Sequence, residues 1–363
     1  MGETNETDPN RMHTWRFLEP SELTRPTHCP ELPRVIEAGG PRSLADLRDY
    51  VTAEGDRLRA EMRARGGFLL RGFELNDPES FADIIGALGY RPEAENPFDT
   101  SPRHKVAASV YTSTDTPDPY PILAHNENSF LNARPRMISF FCFVEPPRYG
   151  ETPLFDSRAA AATLDPSVRD KLAARKVCYR RRLPKKRPAW APNINRTWSE
   201  AFGTEDRDTI EEMVAERGMT CRWHPNGRLL HTENVVDPLP VHPDTGDRCL
   251  NLQAFHRTSI LGDLDEVRPR QNPLHNASLK MGVSLLYALD AMPVQILYGD
   301  GSPIPPAEMA EIRRATWEHS VLFAWKKGDL LVLDNILTGH GRMNVEKPRK
   351  ILTSFGDIVT FPV

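Results

Sequence analysis

His125-Asn126-Glu127-Asn128-Ser129-Phe130, followed after Pro135 by Met137-Ile138-Ser139-Phe140-Phe141-Cys142-Phe143-Val144, is the stretch of the 363-residue sequence that decides the fold. The apolar run 137–144, closed by Pro146-Pro147, reads as a strand deep in a sheet. On a strand, residues i and i+2 face the same way, so His125 and Glu127 present an imidazole and a carboxylate on one face. A distant histidine can complete the set. The run from Gly328 to Asn335 reads as a buried strand leading up to Gly339-His340-Gly341-Arg342, where flanking glycines let the backbone approach closely. Two histidines and one carboxylate on one side of an octahedron leave open positions, the arrangement used by non-haem Fe(II) oxygenases.

The pattern is weak without its context, because His231-Thr232-Glu233 and His242-Pro243-Asp244 share it and eleven histidines produce about one such match by chance. His242 leads into the turn residues Asp244-Thr245-Gly246-Asp247, a poor platform for a rigid ligand. His231 falls in a strand and reads either as a ligand or as an ordinary half-exposed sheet histidine. His125 lies between a Pro-rich loop and the core strand, where a jelly roll holds ligands at its mouth.

Working outward, residues 1–40 are polar and Pro-rich and read as an irregular lead-in. Ser43 caps an amphipathic helix to about Arg65, stopped by Gly66-Gly67, and Phe68 to Phe73 reads as a buried strand. Helices are expected at 78–88, 159–164, 210–216 and 307–319, and strands at 228–236, 249–255 and 351–360. Val321 to Trp325 is expected to pair with Leu330 to Leu333 through Lys326-Lys327-Gly328-Asp329. With 33 prolines, the chain suits short strands and loops. The expectation is a mostly β fold with flanking helices: one unit over 41–363, a double-stranded β-helix (jelly roll) with a helical and loop insertion at about 157–225.

A formal charge of −4 argues against a general nucleic-acid binder. No apolar stretch approaches the ~20 residues needed to span a bilayer. Cys29, Cys142, Cys178, Cys221 and Cys249 form no CxxC, which fits a reducing cytoplasm rather than a disulfide framework. There is no GxSxG elbow for a serine nucleophile.

The segment from His125 to Phe130, with Pro135, Phe140-Phe141-Cys142, Gly150-Glu151-Thr152-Pro153 and Asp156, resembles the taurine dioxygenase and clavaminate synthase-like family of Fe(II)/2-oxoglutarate oxygenases. Gly328-Asp329, Asp334-Asn335, His340-Gly341-Arg342 and Arg349-Lys350-Ile351-Leu352 match the other end of its pattern. Trp198 to Thr204, His242 to Gly246 and Asn251-Leu252-Gln253 look like the branch of syringomycin-type aspartyl hydroxylases. The resemblance covers about 65–357. It implies a double-stranded β-helix with iron on His125, Glu127 and His340. It also implies O2 and 2-oxoglutarate as co-substrates, the far carboxylate of 2-oxoglutarate meeting the Thr152 hydroxyl and a basic residue after His340.

That residue is Lys350 if the apolar pair Ile351-Leu352 sets the alignment, or Arg349 if bidentate pairing decides; strand neighbours face opposite ways, and Arg349 is slightly favoured. The chain carries one glycine before Glu151-Thr152 where many relatives carry two. Asn128, Ser129 and Gln253 are candidate substrate contacts, or equally backbone hydrogen-bonding groups. The expected reaction is hydroxylation, desaturation or cyclisation of an amino acid or amino-acid-derived metabolite in specialised metabolism such as antibiotic biosynthesis. The run Arg180 to Arg187 reads as a solvated loop, or as a docking patch for an acidic carrier protein bearing a tethered substrate. The rival of another class is a non-catalytic metal-binding jelly roll; a zinc site would want a fourth ligand, and none is evident.

Overall fold

A computed structural model describes residues 13–92, 103–113, 121–186 and 196–362. Its largest sheet has eight strands. In spatial order these are β1 (His13–Arg16), β2 (Arg34–Arg42), β3 (Gly67–Phe73), β14 (Leu330–Asp334), β7 (Ala133–Val144), β16 (Lys350–Thr360), β5 (Val110–Thr112) and β4 (Lys105–Ala107). Facing it is a four-stranded sheet, β13 (Ser320–Val321), β8 (Leu154–Asp156), β15 (Thr338–Arg342) and β6 (Ile122–His125). Together they form the two walls of the jelly roll.

Strand β7 shows why the run 137–144 is apolar without a break. Ile138, Phe140 and Cys142 point between the walls and pack with Leu154, Val321, Phe323 and Ile351. Met137 and Phe141 point the other way, onto Leu47, Val51, Phe81 and Ile84. These last belong to α1 (Leu44–Ala53) and α3 (Pro78–Ala87), which with α2 (Gly55–Arg65) cover the outer face. A strand covered on both faces loses its polar alternation. Ser43 caps α1 reciprocally with Asp46, and Gly66 ends α2 at φ 85°. The helix expected across 43–65 breaks at Glu54 into two.

Four expectations are corrected. The lead-in contains β1 and β2, the latter paired parallel to β3. The segment 321–325 does not form a hairpin with 330–333: β13 pairs with β8, whereas β14 pairs with β3 and β7. Asp329 causes the divergence. Fully buried, it accepts from Lys326 N at 2.8 Å and from Arg71 Nε and Nη2 at 2.9 and 2.6 Å, so the turn is fastened to β3. Residues 249–255 are irregular.

The fourth correction concerns the basic run, whose residues 180–184 form a strand and not a loop. Strand β9 (Val177–Pro184) lies inside a third sheet, β10 (Thr220–Trp223), β11 (Leu229–Val236), β9 and β12 (Val294–Tyr298). Tyr179, Arg181 and Leu183 face inward, while Arg180 pairs with Glu233 and Arg182 with Asp290. Arg187 lies outside the described residues. This sheet draws strands from 177 to 298, beyond the 157–225 expected for the insertion. It packs with α4 (Ser157–Thr163), α5 (Pro166–Arg175), α6 (Trp198–Phe202), α7 (Arg207–Ala215) and α10 (Pro306–Glu318) around a core of its own. Two helices of 257–288, α8 (Arg257–Val267) and α9 (Pro273–Ala288), had no counterpart in the sequence reading.

Candidate metal centre and cleft

Strands β6 and β15 are antiparallel neighbours in which His125 stands directly opposite His340. Their close approach needs glycine at 341, where a Cβ would lie 2.8 Å from the Ile122 carbonyl oxygen. Glu127 follows β6 in a turn, and its Oε2 lies 3.6 Å from His340 Nε2 and 3.9 Å from His125 Nε2. All three ligand atoms fall within 4.8 Å of one another and all three residues are buried. Ligand atoms at right angles on one metal sit about 3 Å apart, so small side-chain movements close the set.

The protonation states suit a cation. Burial and the neighbouring His340 hold His125 down to about 4 despite the attraction of Glu127, so its imidazole is neutral at pH 7. His125 Nδ1 donates to the Leu123 carbonyl at 2.7 Å, which leaves Nε2 with its lone pair toward the site. Burial pushes the Glu127 carboxyl up, but Arg103 first, then bonding to the histidines, outweigh it and keep it well below the usual range. A carboxylate and a neutral imidazole are the forms a metal ion binds.

A buried asparagine holds the Glu127 backbone. Asn335 Oδ1 accepts from Glu127 N at 2.6 Å, and its Nδ2 donates to the carbonyls of Glu127 and Pro135 at 3.0 and 2.7 Å. Asn126 Nδ2 in turn donates to the Asn335 carbonyl and to Ser157 Oγ, so Asn126 is fully buried architecture. Asn128, at φ 55°, adopts the left-handed turn that asparagine tolerates.

The cleft over the histidines is lined by Arg103, Asn128, Phe130, Phe140, Thr152, Gln253, Arg342, Arg349 and Ile351, among others. Of the candidate substrate contacts, Asn128 and Gln253 reach it; Ser129 is fully buried and is not part of the lining. Arg349 and Ile351 share the inward face of the chain entering β16. Lys350 is exposed on the opposite side, its Nζ 5.0 Å from the Phe143 ring centroid. Thr152 Oγ1 accepts from Trp325 Nε1 at 3.2 Å. Arg349 Nε donates to the Gly150 carbonyl at 2.9 Å, and a Cβ on Gly150 would sit 2.9 Å from Arg349 Cδ. Tyr149, in the place of the second glycine, adopts φ 59° with Arg148 and Arg270 over its ring.

The other two histidine pairs are elsewhere. His242 is fully buried; its Nε2 meets Asp334 Oδ2 at 3.0 Å and its Nδ1 accepts from Asp244 N and Thr245 N, so it ties a turn to the end of β14. His231 lies half-buried on β11, opposite Arg182 and Arg222. The sequence reading missed Arg103, Arg342 and Asn335 as site residues. Arg342 could have been found, since it stands at i+2 from His340 on β15.

A family model described as "Taurine catabolism dioxygenase TauD, TfdA family" matches residues 30–354. The chain is 28% identical to the dapdiamide synthesis protein DdaC of Enterobacter agglomerans, over 81% of this chain and 83% of that one. It is 26% identical to a clavaminate synthase-like protein of Arabidopsis thaliana, over 86% and 88% of the two chains. Its fold is similar to that of PvcB, an Fe, alpha-ketoglutarate dependent oxygenase from an isonitrile synthetic pathway, with a TM-score of 0.52 and 14% identity over 99% and 98% of the chains.

Proposed function

The chain belongs to the TauD, TfdA family of taurine catabolism dioxygenases and is a non-haem iron, 2-oxoglutarate-dependent oxidoreductase; from that premise we propose that it hydroxylates an amino acid or a metabolite derived from one. The observation that carries the substrate reading is the cleft, where Asn128, Gln253 and Ser113 offer hydrogen-bonding groups in the lining shared with the histidines. A lipid or steroid would call for a large apolar pocket. The relative named for dapdiamide synthesis supports a place in specialised metabolism, of which antibiotic biosynthesis is one form.

In this reading His125, Glu127 and His340 hold the iron. Bound there, iron with 2-oxoglutarate and O2 supplies the oxidising power to break an unactivated C–H bond, and the protein supplies orientation and exclusion of water. Arg349 receives the far carboxylate of 2-oxoglutarate, its side chain steadied by the Gly150 carbonyl. Thr152, which accepts from Trp325, keeps its own O–H as a donor that the same carboxylate would accept from. Phe130, Phe140, Ile122 and Ile351 wall the cleft and exclude water. Lys350, on the outer face, takes no part.

A carrier-tethered substrate is the second reading, kept by the exposure of Lys185 and Lys186 at the end of β9. The arginines before them are buried or ion-paired, which favours the free molecule. Five unpaired cysteines suit a cytoplasmic setting. Among the described residues no helix is long and apolar enough to cross a membrane.

The test is a screen of free and carrier-tethered amino acids for succinate formation matched by an oxidised product. Free amino acids or their derivatives are expected to couple. Coupling only to apolar substrates would overturn the reading, and dependence on Lys185 and Lys186 at low salt would favour the carrier.

A further inference from the structure

Arg103 belongs to no motif and enters the cleft just ahead of the β4–β5 hairpin, yet it makes the closest contact to the metal carboxylate outside the triad. Its Nη2 donates to Glu127 Oε1 at 3.0 Å, while the other oxygen, Oε2, faces the two imidazoles at 3.6 and 3.9 Å. The carboxylate is therefore divided, one oxygen to the guanidinium and one to the metal position. The Arg103 side chain is 9% exposed and its guanidinium carbon lies 4.6 Å from the Phe355 ring centroid, so its plane rests on a fixed aromatic surface.

We propose that Arg103 is a positioning residue that keeps Glu127 a one-oxygen ligand and so preserves the open positions the reaction needs. The proposal rests on the iron reading above and deepens it. A metal of the type this donor set suits takes about six ligands. With Glu127 bound through one oxygen, the triad fills about three of these and leaves about three. With Glu127 bound through both oxygens, about two remain, which the keto acid end of 2-oxoglutarate takes, with none left for a third reactant. Carboxylates bind metals in either mode. A donor anchored on Oε1 removes the second. Arginine suits the task because its charge is permanent and its fork is rigid.

The experiment uses Mn(II) in place of iron and needs no turnover: exchangeable water ligands on the bound ion are counted by electron paramagnetic resonance in isotopically labelled water. Wild-type protein is expected to show about three, falling to about one with 2-oxoglutarate; Arg103→Met is expected to show about two and then about none. Arg103→Lys retains a cationic donor and is expected to keep the wild-type count. A wild-type count in Arg103→Met would overturn the proposal. So would about two waters in the wild-type protein, an arm that does not depend on the folding of any variant. Failure of Mn(II) to bind the wild-type triad would instead sink the iron reading itself.

Discussion

Replacing Asn335 by alanine removes the clamp on the Glu127 backbone without touching a ligand. The side chain makes three hydrogen bonds in a fully buried position, to Glu127 N, Glu127 O and Pro135 O. Each contributes about 0.5–1.5 kcal/mol net, and a buried amide left without an acceptor costs about 1–3 kcal/mol in desolvation. A loss of roughly 3 kcal/mol follows, about 4 °C in thermal midpoint for a chain of this size. The same change frees the turn that aims Glu127 Oε2, and loss of such outer partners weakens metal binding about 10–100-fold. Thermal unfolding of the metal-free protein reads the first effect; anaerobic competition titration of Fe(II) at a temperature where the variant is folded reads the second. Asn335→Ala with lowered stability but wild-type iron affinity would refute the argument that this residue aims the carboxylate.

Arg349→Ala is expected to raise the 2-oxoglutarate requirement by about 30-fold or more, the loss of roughly 2–5 kcal/mol for a buried charge-assisted bond, while Lys350→Ala stays near wild type; steady-state KM values decide, and the opposite ranking restores the alternative alignment. Glu22 supplies a pH test away from the site. Burial opposes its charge, but bonds from Arg16 and Arg71 at 2.9 and 2.6 Å hold its carboxyl at about 2 instead of 4.5. A depressed acid stabilises the fold fully above its ordinary value and loses that contribution as pH falls through the lowered one. Glu22→Gln should therefore lower the melting temperature at neutral pH, with the gap to wild type closing between pH 4.5 and 2; a gap independent of pH would show that the ion pairs are not the cause.

What the sequence disclosed depended on how local the signal was. His125 and Glu127 sit two residues apart and His340 follows a buried strand between glycines, so short-range pattern and the family's two motif ends pointed to three residues that the fold brings together, the two histidines as cross-strand neighbours. Strand β9 was misread because Arg180 and Arg182 find their partners, Glu233 and Asp290, far along the chain. A basic run looks solvated until those acids are placed beside it. The 321–333 hairpin failed similarly: its turn residues are suitable, but the Arg71–Asp329 pair commits the second strand elsewhere. Strand β2 was hidden because neither partner is joined to it by a tight turn: β1 is antiparallel but separated by a long irregular segment, and β3 is parallel. Arg103 is a lone arginine whose meaning lies wholly in what it faces. Which of Arg349 and Lys350 lines the cleft depends on the inward face of the chain entering β16, which sequence alternation alone does not identify.

The most direct test of the triad is the anaerobic difference spectrum on adding Fe(II) and then 2-oxoglutarate. A visible metal-to-ligand band is expected in the wild-type protein and in His231→Ala, and is expected to be lost in His125→Ala, Glu127→Ala and His340→Ala. No band in the wild type, or a band that survives His340→Ala and disappears with His231→Ala, would contradict the assignment of iron to His125, Glu127 and His340.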